Sequence, residues 1–177
     1  MKSAENEKKS IESIQYPHIA KDILAMANYD RLYRKQYLSD RKAGKLPQWN
    51  HDMDKEHTEH MKAIIGQIGF PTTSAVGKKA SFAAWLLVQH ADHDLAFQRT
   101  CLTLMKDLPN HEVDPVNIAY LTDRILVSEK RPQIYGTQFY YDQSQKPVLH
   151  ITEDRLNLNK RRTSIGLEPL QEAPSLL

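Results

Sequence analysis

The sequence predicts a mainly α-helical fold, a single-domain bundle of about five to six helices with a small C-terminal β-hairpin packed on it. Apolar residues recur at three- and four-residue intervals through most of 17–130, which is typical of amphipathic helices. After residue 133 the chain changes to β-branched and aromatic runs around a polar turn. A length of 177 residues suffices for one well-packed core. We therefore expect one domain over 17–171, with flexible tails at 1–16 and 172–177.

The first helix is predicted from Pro17 to about Lys42. Asp30 falls on its apolar face, where an ionised carboxylate is costly unless it is paired, and Arg34 stands one helical turn later. Two interpretations stay open, a structural ion pair and the lining of a polar pocket. The apolar face itself consists of Ile19, Ile23, Met26, Tyr33 and Tyr37.

Three further helices are predicted from spacing and end signals. The second is opened by Asp52 or Asp54 as N-cap and stopped by Gly69. The third covers about 78–90, and the fourth covers about 95–108 with Asp94 as its N-cap. This arrangement delivers His90 at the end of an apolar helix.

A fifth helix and a hairpin complete the prediction. Asp114 is expected as an N-cap with Pro115 in the first helical position, opening a helix to about residue 130. Strands are expected near 134–141 and 148–152, within a hairpin spanning about 134–152. A short helix follows and is stopped by Gly166.

Composition limits the class of function. The formal net charge of +2 gives no strong field for nucleic acid or an anionic membrane, so neither is expected as a partner. No apolar run approaches the roughly 18 residues that a membrane helix needs. Cys101, the single cysteine, lies in an apolar helical pattern and is expected to be a buried thiol. A cytoplasmic location fits this composition best.

The stretch WLLVQHADHDLAFQ, residues 85–98, concentrates ionisable side chains between two apolar helices. A purely structural interpretation takes Asp94 as a helix cap and His90 as the end of the preceding helix. An acid–base interpretation has His90 transfer a proton, with Asp92 or Asp123 fixing its tautomer. Gln89 directly precedes His90 in the sequence, under the structural and the acid–base interpretation alike.

A metal site is the third interpretation of this stretch. His90 and His93 stand at i, i+3, and so do His57 and His60 in EHTEH. Imidazoles with carboxylates suit zinc or iron, but neither pair has the spacing of a specific metal signature. We therefore expect no metal and no cofactor.

Downstream polar groups are candidate ligand contacts. AYLTDR places Asp123 and Arg124 on one helix, where Arg124 is either an anion or carbonyl clamp or half of a surface ion pair. In YGTQ, Tyr135 and Gln138 are either orienting groups for a polar ligand or ordinary hairpin residues, and Gly136 indicates a bulge or a close approach. KRR at 160–162 is expected to be a solvated helix end rather than a phosphate site.

The motifs QHAD at 89–92 and YGTQ at 135–138 resemble an uncharacterised bacterial domain family of unknown function. The resemblance spans about 22–171 in order and includes Asp30, Arg34 and Asp54. It implies a mainly helical domain and a shared polar site. This chain has His57 where that family usually has asparagine, which further weakens a metal site that depends on it.

Together these patterns predict a small metal-independent enzyme that performs acid–base chemistry, hydrolysis or elimination, on a polar small molecule or peptide-like group. His90 is the expected proton-transfer residue, oriented by Asp92 or Asp123. The expected substrate contacts are Gln89, Arg124, Tyr135, Gln138, Asp30 and Arg34. The alternatives are a non-catalytic peptide- or protein-binding module and, third, a zinc or iron enzyme.

Overall fold

The computed structural model describes residues 14–171 and confirms a mainly helical fold with a two-stranded hairpin near the C-terminus. The chain forms two compact units, Met1–Val113 (unit 1) and Asp114–Leu177 (unit 2). Most of the tail predicted at 1–16, and the whole of the tail at 172–177, lie outside the described residues. The helices are α1 (Pro17–Lys42), α2 (His51–Ile68), α3 (Thr73–Val76), α4 (Lys78–Gln89), α5 (Leu95–Lys106), α6 (Pro115–Ser128) and α7 (Leu158–Ser164).

Unit 1 is built around α4, which packs against α1, α2, α3 and α5. Pro17 occupies the first turn of α1, where a missing N–H costs no hydrogen bond. The predicted apolar face of α1 is buried at Ile19 and Ile23. The remaining core is supplied by side chains from every helix of the unit, among them Met61, Val76, Ala84, Val88, Cys101 and Met105.

The start of α2 differs from the prediction. Its N-cap is Asn50, whose Oδ1 accepts hydrogen bonds from the backbone N–H groups of Asp52 and Met53 at 3.1 and 3.3 Å. Asp52 and Asp54 lie inside the first turn, where their charge still suits the helix dipole. Asp54 is therefore available for contacts with other helices.

Unit 2 starts as predicted, with Asp114 capping α6 through Val116 N–H at 2.9 Å and with Pro115 at its first position. The strands β1 (Phe139–Tyr141) and β2 (Pro147–Leu149) pair antiparallel but are shorter than predicted. The reason lies at 134–137, where backbone N–H groups point to the side chain of Asp123 instead of to a partner strand.

The end of unit 2 corrects the prediction for KRR. After a 3-10 turn at Arg155–Asn157 comes α7, and Gly166 follows it in the left-handed region at φ +86°. Arg162 is buried, and it donates hydrogen bonds to the carbonyls of Tyr135, Gly136 and Glu168 at 2.7, 3.1 and 2.7 Å. Its neighbour Arg161 donates to Ile134 O at 2.9 Å. Both arginines connect α7 to the backbone at 134–136 by hydrogen bonds, so the expectation of a solvated helix end was wrong for them.

Within 14–171, no helix combines the length and the apolar character needed to cross a membrane.

Candidate functional site

A buried carboxylate on α1 forms the base of the candidate site. Asp30 is 1% exposed, on the same face as the buried Ile23 and Ala27. Its Oδ1 accepts a hydrogen bond from Nε of Arg34 at 2.8 Å, so the ion pair suggested by their spacing is present. A charge so deeply buried is tolerated only where partners replace its lost hydration.

Arg34 extends the pair to a second helix. Its Nη2 donates to Oδ1 of Asp54 on α2 at 2.7 Å, and Oδ2 of Asp54 accepts from the indole Nε1 of Trp49 at 2.8 Å. The Arg34 guanidinium also lies over the Trp49 ring, 4.7 Å from its centroid. One arginine therefore links two carboxylates and one aromatic ring.

Aromatic contacts fix the loop that leads into α2. The rings of Tyr33 and Tyr37 on α1 meet Trp49 edge-on, with centroid distances of 5.3 and 4.8 Å. The Tyr33 hydroxyl donates to Gln48 O at 3.2 Å and accepts from Asn50 N–H at 2.9 Å. Trp49 is thereby held in place from α1 as well as from α2.

His90 is the residue directly after α4, as predicted, and its ring turns toward α1. Nδ1 of His90 lies 2.9 Å from Oδ2 of Asp30. Both atoms are buried, and they meet at ion-pair distance without a hydrogen bond of good geometry. Such contacts commonly tighten only when a ligand binds. The His90 side chain is 20% exposed, so the ring keeps one edge toward solvent.

The environment of Asp30 keeps it ionised. Burial by itself would raise the pKa of the Asp30 carboxyl, but contact with His90 and the charges of His90 and Arg34 outweigh burial and lower the pKa. A negative charge therefore stands behind His90 at neutral pH.

Gln98, a residue not singled out in the sequence, fixes the turn between α4 and α5. It is fully buried, and its Nε2 donates to the carbonyls of Val88 and Gln89 at 3.1 and 3.3 Å and to Oδ1 of Asp92 at 3.4 Å. The side chain thus satisfies carbonyls that the helix end leaves open. Gln89 itself is 5% exposed, in the last turn of α4.

Asp94 caps α5 as predicted, with Oδ1 accepting from Phe97 N–H at 2.9 Å. Its Oδ2 lies 2.8 Å from Nζ of Lys62 on α2. Hydrogen bonds from Lys62 and from Phe97 N–H lower the pKa of Asp94. This residue therefore has a structural role in the turn.

A cavity of about 720 Å³ opens where α1, α2 and the turn after α4 meet. Of its lining residues, Trp49, His51 and Lys55 were not expected from the sequence. The signal was available in the stretch WNHDMDK, which places an aromatic ring, an imidazole and charges at a helix start. The cavity is lined by Arg34, Trp49, His51, Asp54, Lys55, His90, Asp92 and His93.

His57 lies on α2 one turn after Asp54 and makes an edge contact with Tyr29, at a centroid distance of 6.1 Å. Burial lowers the pKa of His57 despite the nearby charges of Asp30 and Asp54. Its buried Nδ1 has no hydrogen-bond partner. In the part of the chain that the structure describes, no three His, Cys, Asp or Glu side chains are grouped to hold a metal ion.

In unit 2, Asp123 is fully buried and holds the backbone of YGTQ. Its two oxygens accept from the N–H groups of Ile134, Tyr135 and Thr137 at 2.7 to 3.1 Å and from the Thr137 hydroxyl at 3.0 Å. The carboxylate that contacts His90 Nδ1 is Asp30, which the sequence suggested as a substrate contact. The orienting role expected for Asp92 or Asp123 stays a prediction.

The other residues predicted in unit 2 surround the same loop. Gln138 N–H donates to Oε1 of Gln133 at 2.9 Å, and its side-chain amide donates to Thr137 Oγ1 at 3.1 Å. Gly136 has φ +64°, and a Cβ there would lie 3.2 Å from a methyl of Leu170, which bears out the expected close approach. Tyr135 and Arg124 are half-buried.

The structure therefore places the predicted residues in two groups. Asp30, Arg34, His90 and Asp92 lie at or directly behind the cavity of unit 1, and Gln89 is buried in the last turn of α4 beside His90. The second group, in unit 2, contains Asp123, Arg124, Tyr135 and Gln138.

Comparison with known families agrees with the expected membership in a family of unknown function. A family model matches residues 17–177, nearly the whole chain. The chain belongs to DUF6624, a family of unknown function. No curated protein and no solved structure matches it significantly. Membership in DUF6624 thus groups this chain with relatives but assigns no reaction, and the function has to be argued from the cavity.

Proposed function

We propose that the cavity of unit 1 is the active site of a small enzyme that performs general acid–base chemistry, hydrolysis or elimination, on a polar small molecule or peptide-like group. The observation that carries the proposal is the contact between His90 Nδ1 and the fully buried Asp30 carboxylate, at 2.9 Å in the cavity wall. The cavity volume of about 720 Å³ is in the range of small-molecule sites. A flat apolar patch would favour the binding-module alternative instead.

His90 is the proposed proton-transfer residue. Because its Nδ1 is buried against Asp30, Nε2 is the ring nitrogen that a ligand can reach. A carboxylate at Nδ1 favours the tautomer with the proton on that nitrogen, which leaves the Nε2 lone pair as the acceptor. When His90 takes up a proton, the same carboxylate stabilises the imidazolium.

Asp30 and Arg34 are proposed as positioning residues. Arg34 fixes the Asp30 carboxylate through one oxygen and leaves the other for His90. Asp54 and Trp49 hold Arg34 in turn, so the base is supported from α1 and α2. Such support matters because proton transfer needs donor and acceptor within hydrogen-bond reach.

The proposal also includes substrate contacts and a cellular setting. Asp92 lines the cavity and is proposed to contact the substrate. The substrate contacts predicted for Arg124, Tyr135 and Gln138 stay predictions. The proposed setting is the cytoplasm, where the single buried Cys101 thiol fits a reducing compartment.

The test is turnover of small molecules by purified full-length protein. A metabolite extract is incubated with wild-type protein and followed by mass spectrometry for compounds that disappear or form. We expect His90→Gln to abolish each such change, and Asp30→Asn to reduce its rate by roughly a hundredfold, the size of a typical general-base contribution.

The matched control is His60→Gln, which removes an exposed histidine of α2 outside this cavity. It should turn over the same compounds at the wild-type rate. Circular dichroism and thermal melting confirm that each variant is folded. Unchanged turnover by folded His90→Gln would reject the acid–base role, and no turnover by any form would favour the binding-module alternative.

A further inference from the structure

Carboxylates outnumber fixed cations around the cavity. Asp54 and Asp92 line it, Asp30 lies directly behind Arg34 and His90, and Asp52 lies beside Lys55. The fixed cations that line it are Arg34 and Lys55. With histidines counted as neutral, the lining residues carry no net charge, and the buried Asp30 carboxylate behind them adds one negative charge. An anionic ligand would add a further negative charge to this partly enclosed space.

The charge of Arg34 is already offset. Its Nε and Nη2 make short contacts with Asp30 and Asp54 at 2.8 and 2.7 Å, and its face lies on Trp49. A guanidinium between two carboxylates attracts a third carboxylate or a phosphate much less than an unpaired one does. Arg34 is therefore poorly suited to be an anion clamp.

Lys55 does not supply the positive charge that an anionic ligand would need. Its Nζ lies 3.5 Å from Oδ1 of Asp52, and its side chain is 60% exposed. Solvent screens a charge at this position. The cavity thus has no cation that is both buried and unneutralised among its described lining residues.

Asp30 contributes charge at the base of the cavity rather than a direct ligand contact. Its Oδ1 accepts from Arg34, and its Oδ2 lies 2.9 Å from His90 Nδ1. The side chain is 1% exposed, so its negative charge acts on a ligand from behind Arg34 and His90.

We infer that the natural ligand of this cavity is a small molecule that presents a protonated amine and carries no net negative charge. The inference rests on the proposed function only in taking this cavity as the ligand site. It does not depend on proton transfer by His90. Asp54 and Asp92 are the carboxylates among the described lining residues of the cavity.

Binding of three four-carbon probes tests the inference without any turnover assay. Butylamine, butyramide and butyrate share one chain length and differ in charge. Each is titrated into full-length protein near pH 8 at low salt, and the indole N–H resonance of Trp49, assigned by its loss in Trp49→Phe, is followed by NMR. We expect butylamine to bind at roughly one-tenth of the concentration that butyrate requires, because butyrate is repelled.

Variants separate the charge of the cavity from its shape. Asp92→Asn removes an exposed lining carboxylate and should reduce the preference for butylamine, while Asp54→Asn also exposes the charge of Arg34 and should move the preference toward butyrate. The matched control is Asp22→Asn, an exposed position on α1 outside the cavity, which should keep the wild-type preference.

The outcomes are distinct from those of the turnover test. Equal or tighter binding of butyrate by wild-type protein, or no binding of any probe, would overturn the inference. If His90→Gln loses turnover while a consumed compound is anionic, the acid–base proposal stands and this inference fails. If folded His90→Gln keeps full turnover but wild-type protein prefers butylamine, the inference stands alone.

Discussion

His90 Nδ1 lies 2.9 Å from Oδ2 of Asp30, a carboxylate that is 1% exposed on a different helix. The contact joins the C-terminal end of α4 to the middle of α1 and places an imidazole in the wall of a cavity. It also connects His90 to Arg34, Asp54 and Trp49 through Asp30. The stability of unit 1 and the proposed proton transfer therefore involve the same side chains.

Replacing Asp30 with asparagine should destabilise the protein markedly. The change leaves His90 without its carboxylate and removes one of the two partners of Arg34. Breaking a buried ion pair on one side costs about 3 kcal/mol or more. Urea denaturation of wild-type and Asp30→Asn protein measures the loss. Asp52→Asn, at an exposed pair 3.5 Å from Lys55, should change stability little, and an equal loss in both variants would contradict the assigned role of Asp30.

Acid should weaken the folded state through the same carboxylate. The pKa of Asp30 is lower in the folded protein than in an unfolded chain, so its stabilising contribution is complete above about pH 4 and is lost as the pH falls through the lowered pKa. The groups that face it are Arg34, Asp54, His57 and His90. Denaturation midpoints measured from pH 6 to 3 should fall less steeply with pH in Asp30→Asn than in wild type. Parallel curves for the two proteins would show that protonation of Asp30 does not cause the loss of stability in acid.

Features set by neighbouring residues were predictable from the sequence. The extent of α1, the caps Asp94 and Asp114, and the pair Asp30–Arg34 depend on groups within a few residues of each other. The spacing of neighbouring residues is therefore enough to predict these helices, caps and ion pairs. The position of His90 at a helix end was predictable for the same reason.

Contacts between distant segments were not predictable in this way. Asp30 and His90 were both candidates, but periodicity within a helix does not reveal which helices meet. Gln98 was overlooked because a glutamine in a helix normally faces solvent, whereas here it binds open carbonyls. The hairpin was predicted too long because the β propensity of 134–138 is outweighed by hydrogen bonds to Asp123.

Asp123 should matter for the stability of unit 2. Asp123→Asn places an amide donor where the carboxylate accepts from three backbone N–H groups and one hydroxyl. Leaving such buried donors without acceptors costs about 3 kcal/mol or more in total. Hydrogen exchange should show loss of protection at 134–137. Asp142→Asn, in the exposed hairpin turn, should not reproduce this loss, and intact protection in Asp123→Asn would reject the structural role.

The Cys101 thiol should be unreactive toward thiol reagents in the folded protein. Burial raises the pKa of its thiol to about 12, and the side chain is fully buried in α5. The thiolate is the reactive form, so Ellman's reagent should label native protein very slowly and urea-unfolded protein fully. In Thr103→Cys, a thiol placed at an exposed position of the same helix should react rapidly in the native state. Rapid labelling of native wild-type protein would show that α5 is not packed as described.

Arg162→Lys should destabilise unit 2 although it preserves the charge. The guanidinium reaches Tyr135 O, Gly136 O and Glu168 O at once, whereas a lysine ammonium has neither the planar fork nor the reach to do so. Because Arg162 is 7% exposed, the unsatisfied carbonyls stay away from water, at a cost of about 2 kcal/mol. Denaturation of Arg162→Lys should show this loss, while Lys160→Arg, at an exposed position of α7, should leave stability unchanged. Equal stability of wild-type and Arg162→Lys protein would mean that charge alone suffices at this position, against the geometry of these three hydrogen bonds.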